Sequence, residues 1–463
     1  MRKLVWFRND LRVSDNPALA AAAARGEVVG VYCVSIEQWR SHDMGDRRLA
    51  FQLRCLHQLA AKLAALGIPM KVLDTPSFDD CPNALLQLCQ AVQADELHFV
   101  DEYPLNERKR DTAVSATLSA AGVAVSRHVG DVIVPPHSFT TGSGGVHTVF
   151  SPYFRKWLSI AERNAESLER APAAQTSSVA SDPLPESWDG VSLQLAQADW
   201  QAGEDEAQRR LQTFVETSLG NYGSQRDLPA INGTSSLSSW LAVGCISARQ
   251  CLSAALYAIA AQPELQEGAQ KWIGELAWRD FYRQIVAEFD HVSYGHSFKR
   301  ALDVLPWRDA PEELQAWQQG LTGYPFVDAA MRQLNQTGWM HNRLRMVSAM
   351  FLTKHLLIDW RAGERYFMQQ LVDGDFASNN GGWQWSASTG TDAAPYFRIF
   401  NPESQGKKFD KHGEFVRKMV PELATIAPKN LFAPAQEAGV SYPAPIVDHK
   451  QARARALEAF KNL

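Results

Sequence analysis

The sequence predicts a doubly wound α/β domain at the N-terminal end followed by an all-α domain. Three observations predict this. The first 130 residues alternate five short β-branched runs with alanine- and leucine-rich stretches; residues 171–187 have linker composition; and from about Asp205 onward apolar residues recur at helical spacing. The chain has 463 residues and is 45% apolar, too long for one ordinary core and rich enough to bury two or three.

Taken in order, the runs KLVWF, EVVGVYCV, PMKVLD, ELHFVD and VAVSRHV are the five expected strands. Ligands in such sheets sit at the carboxyl ends of strands, and Phe7-Arg8-Asn9-Asp10 follows the first of them. No GxGxxG occurs, so the usual dinucleotide site is not supported. The first domain is placed at 1–130 and an interdomain linker at 131–204. Within that linker APAAQTSSVASDPLPES (Ala171 to Ser187) has eleven Pro, Ser or Ala residues in seventeen, which favours an exposed path. The helical domain is placed at 205–463, with turns marked by Gly and Pro, as in TGYP at Thr322 to Pro325.

Charges at Arg8, Asp10, Arg12 and Asp15 interrupt the apolar segment a secretory signal would need, and no run approaches the roughly 18 apolar residues of a membrane span. The six cysteines form no CxxC pair and stand in no zinc-like spacing with histidine, so structural thiols in a reducing cytoplasm are expected, with no metal. Net charge is −5, which argues against a nucleic-acid partner, but Met331 to Lys418 carries twelve Lys and Arg against eight Asp and Glu, a local excess of +4. A solvated charged face and a nucleic-acid surface both account for that excess.

Nine of the fourteen tryptophans fall between Trp240 and Trp385. In KWIGELAWRDFYR a helix puts Trp272, Glu275 and Arg279 on one face, with Trp278 adjacent. A carboxylate on an aromatic face is costly to bury alone, so either Arg279 or a ligand must satisfy Glu275. In TGWMHNRLRM helical spacing groups Trp339, Asn342, Arg345 and Met346, a face able to hold a flat, partly polar ring. GTSSLS, Gly233 to Ser238, offers hydroxyls and free N–H groups where a helix starts, suited to a phosphate or to a simple N-cap. The stretch DGDFASNNGGWQWSASTGTDAAPYFRIFNP, Asp373 to Pro402, interleaves polar loop residues with large aromatics; Gly381 and Gly382 are expected to let its backbone turn closely. A flavoenzyme acting on a flat substrate and a module stacking nucleobases on aromatics both fit.

Taken together, WFRNDLRVSDN, GTSSLS, WRDFYR, TGYPFVDAAMRQLNQTGWMHNRLRM and LLIDWRAGERYFMQQLVDGDFASNNGGWQWSASTGTDAAPYFRIFNP resemble the photolyase and cryptochrome family from Leu4 to about His449, nearest to the bacterial class I cyclobutane pyrimidine dimer photolyases. The resemblance implies the photolyase fold, with FAD in the helical domain and UV-damaged DNA as the partner. The reaction implied is blue-light-driven repair by electron transfer from excited reduced FAD to a flipped-out dimer. A (6-4) photolyase or a cryptochrome-type photoreceptor is the alternative. Tyr222, Thr234, Ser235, Ser236, Leu237 and Ser238 stand where the family holds the phosphates and nearby flavin atoms. Trp272, Arg279, Arg345, Asp373, Gly374 and Asp375 match the rest of the cradle, with Asn379 facing the flavin N5. Glu275, Asn342 and Met346 match the residues that contact the dimer, Trp278 and Trp385 its apolar walls, and Arg226, Arg343 and Arg398 the DNA phosphate contacts. Trp383, Trp360 and Trp307 match an electron relay from flavin to surface.

Subclass turns on single residues. The (6-4) enzymes place histidines at Asn342 and Met346, DASH cryptochromes a glutamine at Met346, and signalling cryptochromes Cys or Asp at Asn379; this chain has none of these. Ser236 stands where some relatives have arginine. Asn106 and Glu107 match residues that hold a 5,10-methenyltetrahydrofolate antenna, while the lysine expected near Tyr294 is absent, so the resemblance leaves folate, a deazaflavin or no antenna open. It further implies a monomer, cytoplasmic and associated with the nucleoid through DNA.

Overall fold

The structure, a computed structural model, describes residues 2–196, 199–433 and 441–461. All five expected runs become strands: β1 (Arg2–Phe7), β2 (Glu27–Val34), β3 (Met70–Asp74), β4 (Ala94–Val100) and β5 (Ala124–His128). They form one parallel sheet in the order β3-β2-β1-β4-β5. Central β1 is flanked by strands on both edges and covered on both faces, which is why Leu4, Val5, Trp6 and Phe7 run apolar without alternation and are fully buried. Strand order reverses between β1 and β4, so the segments after these two strands meet at the switch point of the sheet. There Asn9 Nδ2 donates to Glu102 Oε1 at 2.6 Å, and the guanidinium groups of Arg8 and Arg110 both bond Asp111.

The chain forms two compact units, Met1–Gly220 with Ser235–Asp290, and Asn221–Thr234 with His291–Leu463. This division differs from boundaries at 130 and 205, and the reason lies in burial. The 131–204 segment contains a helix, Phe150–Asn164, and the short β-hairpin Ser187–Trp188 with Val191–Ser192. Buried Asp280, on the helix Gln266–Glu288, accepts from Ile133 N, Val134 N and Trp157 Nε1 at 2.9 to 3.0 Å. A buried carboxylate must find donors, and those donors bind this helix to the first unit. Burial also pushes the Asp280 carboxyl up to about 6. The Pro/Ser/Ala-rich stretch carries no helix or strand before Ser187, yet it is pinned: Gln175 bonds Val28 through both side-chain atoms, and Asp182 bonds Val72 N and Met70 O.

The second unit is helical among its described residues. Its core gathers Trp317, Met331, Leu344, Leu352, Trp360, Phe367 and Trp383, with Trp307 packed against it. Helix Pro325–Thr337 follows the TGYP turn, where Asp328 accepts from Thr322 N, Thr322 Oγ1 and Gly323 N. Helix Asn342–Met350 runs into a π-helical turn, Phe351–Leu356, which packs against the C-terminal helix His449–Lys461. All six cysteines are free and buried. No helix among the described residues is long and apolar enough to cross a membrane.

His355 Nε2 lies 2.8 Å from His449 Nδ1, the rings stacked with centroids 5.1 Å apart. Burial, reinforced by His449, pulls His355 down to about 3. The unfolded chain takes up this proton near pH 6.5 and the folded chain does not, so the contribution of His355 is present above 6.5 and is lost as pH falls toward 3. Between pH 8 and pH 5 this site is expected to lower stability by about 2 kcal/mol. Thermal unfolding of parent and His355→Phe across that range checks it: the melting temperature of the parent falls further than that of the variant, and parallel curves refute it.

Candidate functional site

The stretch that reads as a loop is a helix over much of its length. Asp375 starts it by accepting from Ser378 N at 2.9 Å, and the helix Phe376–Ala387 ends where Ser388 takes a left-handed φ of 69°. It carries Asn379, Trp383 and Trp385. Gly381 and Gly382 lie mid-helix rather than in a tight turn, and a Cβ on Gly382 would meet nothing within 4 Å. The close approach occurs on the neighbouring helix, Trp360–Gln370. A Cβ on Gly363 would come within 2.1 Å of the Trp383 ring.

Glu364, which sequence reasoning did not single out, orders this helix pair. Its carbonyl accepts from Asn379 Nδ2 and its carboxylate from Asn380 Nδ2, both at 2.9 Å. Asn380 Oδ1 accepts from Gln384 Nε2, and Gln384 Oε1 accepts from Phe298 N. Because a carbonyl can only accept, the Asn379 amide must turn its nitrogen to Glu364, leaving Oδ1 as the atom it presents elsewhere. The spacing of Glu364 four residues after Trp360 was the available signal.

Trp360 and Trp383 are buried in the core and Trp307 packs against it. Trp383 meets Phe367 and Trp317 edge-on, centroids 4.9 and 5.9 Å away. Trp317 donates its N–H to Ser348 O, whereas the buried Nε1 atoms of Trp307, Trp360 and Trp383 have no acceptor among the described residues.

Arg345 bonds Asp373 Oδ2 at 2.7 Å and Met340 O at 2.8 Å. Asp373 Oδ1 is buried with no donor among the described residues, and Gly374 beside it is buried too. Asn342, Arg345 and Met346 share a helix, with Asn342 exposed and the other two half-buried. Trp339 does not join them: Gly338, at φ 72°, ends the preceding helix and His341 Nδ1 caps the next by accepting from Arg343 N, so Trp339 falls in the turn between. Arg343 pairs with Asp227 at 2.9 Å and lies over Phe409; Arg226 lies over the buried Tyr222 ring; Arg398 is exposed. Thr234, in this unit, is half-buried.

In the first unit, Trp272 is buried against Phe214, while Glu275, Trp278 and Arg279 are half-buried on the same helix. Trp278 stacks on Phe150 at 3.8 Å, which occupies one of its faces. Both terminal nitrogens of Arg279 donate to Asp131, and Arg283 Nε donates to the other Asp131 oxygen at 2.6 Å. That acid comes from the segment after β5, which spacing along one helix could not have nominated. Ser236 holds a left-handed φ of 50°, Ser235 is half-buried and Ser238 exposed. The helix Ser238–Val243 has Leu237 as its N-cap residue, which offers no side-chain cap, so the plain N-cap account of these hydroxyls is not seen. Asn106 bonds His42 at 2.9 Å, and burial, then Glu102, pushes the Glu107 carboxyl up to about 7.

Residues 3–175 match the family model described as DNA photolyase, and residues 272–462 the one described as the FAD binding domain of DNA photolyase. Relatives named deoxyribodipyrimidine photo-lyase from Salmonella typhimurium and Escherichia coli are each 44% identical over 99% of this chain and 98% of their own. The chain belongs to the DNA photolyase family. A class III photolyase from Agrobacterium tumefaciens shares its fold at a TM-score of 0.89, with 34% identity, covering 100% of this chain and 97% of the other.

FAD is the cofactor of this photolyase, and the residues present fit it. The unsatisfied buried oxygen of Asp373 calls for an N–H donor, and Asn379 presents an acceptor whose direction Glu364 fixes. Ser236 has the left-handed backbone found in turns that form anion-binding concavities. Gly363→Ala is expected to drive a methyl group into Trp383 and to lower stability by about 1–3 kcal/mol. Urea unfolding checks this; an unchanged midpoint would show that the two helices can part without cost.

Proposed function

We infer that the chain repairs cyclobutane pyrimidine dimers in UV-damaged DNA, driven by blue light. The observation that carries the inference is the co-location of Asn379, Trp383 and Trp385 on one helix, with Glu364 fixing the amide and Gly363 seating the indole. Bound in its reduced form, FAD would supply the light-driven one-electron chemistry that the repair needs.

The chain's own residues bind, orient and relay. Tyr222, Thr234, Ser235, Ser236, Leu237, Ser238, Trp272, Arg279, Arg345, Asp373, Gly374 and Asp375 hold the cofactor. Arg345 and Asp373 neutralise one another, so the cradle gains polar contacts without net charge. Asn379 adds an uncharged acceptor. Glu275, with Asn342 and Met346, receives the lesion, a base that poor stacking makes easier to flip out. Trp278 has one face covered by Phe150 and so offers at most the other as an apolar wall, and Trp385 offers the second wall. Arg226, Arg343 and Arg398 contact phosphates, which accounts for a basic segment in an acidic chain.

Trp383, Trp360 and Trp307 carry electrons inward. Support comes from their indole N–H groups, which are buried and have no acceptor among the described residues. An oxidised indole that cannot pass its proton to a neighbour keeps its positive charge, and that charge hops on rather than being trapped. Asn106 and Glu107 hold a folate antenna; with burial raising Glu107 to about 7, its carboxyl can donate as well as accept against a pterin ring. The protein works as a cytoplasmic monomer.

Illuminating the purified protein with oligonucleotides carrying either a cyclobutane dimer or a (6-4) product tests the function: only the first is restored. Restoration of the (6-4) product alone would overturn it. Glu275→Ala is expected to lower the quantum yield of repair with flavin retained, and parental yield would make this carboxylate structural. Trp307→Phe slows light-driven flavin reduction in vitro while repair by pre-reduced enzyme persists; equal loss of both activities would remove it from the relay.

A further inference from the structure

Lys354 lies in the π-helical turn Phe351–Leu356, fully buried, and forms no ion pair among the described residues. A buried ammonium needs compensation, and the structure supplies three partners. Lys354 Nζ donates to Ala387 O at 3.0 Å and to Ser388 Oγ at 2.9 Å, at the carbonyl-rich end of the helix that carries Trp383 and Trp385. It also sits 3.6 Å from the centre of the Phe460 ring, which the C-terminal helix delivers. Burial pulls the lysine well below its ordinary range, so these contacts only partly offset the loss of water.

Phe460 continues the chain of contacts outward. Its ring lies nearly parallel to Tyr396, at 15° with centroids 5.9 Å apart. Tyr396 belongs to residues 392–400, which form no helix or strand. Beside it Phe397 and Arg398 are exposed. Two backbone hydrogen bonds tie this loop among the described residues: Ala394 N donates to Trp385 O at 3.2 Å and Arg398 N to Pro395 O at 2.8 Å. The packing of Tyr396 on Phe460 adds a side-chain hold to these ties.

We propose that Lys354 and Phe460 are positioning residues for DNA binding. Lysine, phenylalanine and tyrosine form a strut from the end of the Trp385 helix to the Arg398 loop, which makes the C-terminal helix a working part of the DNA-binding surface. The proposal rests on the reading of Arg398 as a phosphate contact. A loop held in its bound shape pays its ordering cost at folding rather than at binding, so releasing it weakens affinity without altering chemistry in the bound complex.

The test uses flavin-loaded protein and a duplex carrying one cyclobutane dimer, with binding measured in the dark and repair measured at saturating DNA. Phe460→Leu keeps apolar bulk without the ring, and Lys354→Met keeps length without charge or donors. Each is expected to weaken binding roughly five- to thirtyfold, with repair per absorbed photon and light-driven flavin reduction close to the parent. Phe460→Tyr restores binding, which general loosening of the core would not predict. Combined with Arg398→Ala, each loss is smaller than the product of the single losses, because both act through one loop. Should Phe460→Leu shed its flavin, the half-exposed Tyr396→Leu replaces it, with the same loss expected. Parental binding by the Phe460 or Tyr396 variant while Arg398→Ala binds weakly would overturn the strut, as would losses that simply multiply. Parental binding by Arg398→Ala would instead overturn the reading of the loop itself, and the strut with it.

Discussion

The second unit depends on the close packing of two helices, Trp360–Gln370 and Phe376–Ala387. Gly363 has no room for a Cβ because the Trp383 ring occupies that space, and this closeness lets the Glu364 carbonyl and carboxylate reach Asn379 and Asn380. One contact thus seats a buried indole and fixes the direction of an amide. Dispersion forces in a dry core are individually weak, yet a ring enclosed by Trp317, Phe367 and the glycine backbone can hardly tilt. For an electron relay such rigidity matters as much as proximity, since a fixed indole needs little reorganisation when its charge changes.

A different constraint orders the first unit. Asp280 and Asp131, both on or against the helix Gln266–Glu288, gather their donors from residues 131–157 of the chain and from Arg279 and Arg283. Buried carboxylates left unpaired are expensive, so these contacts bind the helix that bears Trp272, Glu275 and Trp278 to a unit containing the parallel sheet. The helix reads as part of the helical domain by its residue pattern and packs elsewhere by its charges.

Much of the architecture was legible in the sequence. Five β-branched runs became five strands in parallel order, and central β1 is apolar throughout from Leu4 to Phe7 because it is buried on both faces. The long motif from Asp373 onward carried the family resemblance and nominated the residues proposed for cofactor and substrate. Its local form was not: the run of Asn and Gly reads as loop, but Asp375 caps it and the core face of Trp383 holds it helical. Trp339 fell off the face expected of it because Gly338 interrupts the helix.

By itself the sequence determined the strands, the helical second half and the family, since these follow from composition, periodicity and motifs written along the chain, and it nominated the residues proposed for the site. Only the tertiary structure decided which acid holds Arg279, which carbonyl turns Asn379, where the compact units divide, and what compensates buried Lys354. The physical reason is the same in each case. A buried charge or amide takes whichever partner folding brings to it, and Asp131, Glu364 and Phe460 lie 148, 15 and 106 residues away, beyond the reach of any local pattern.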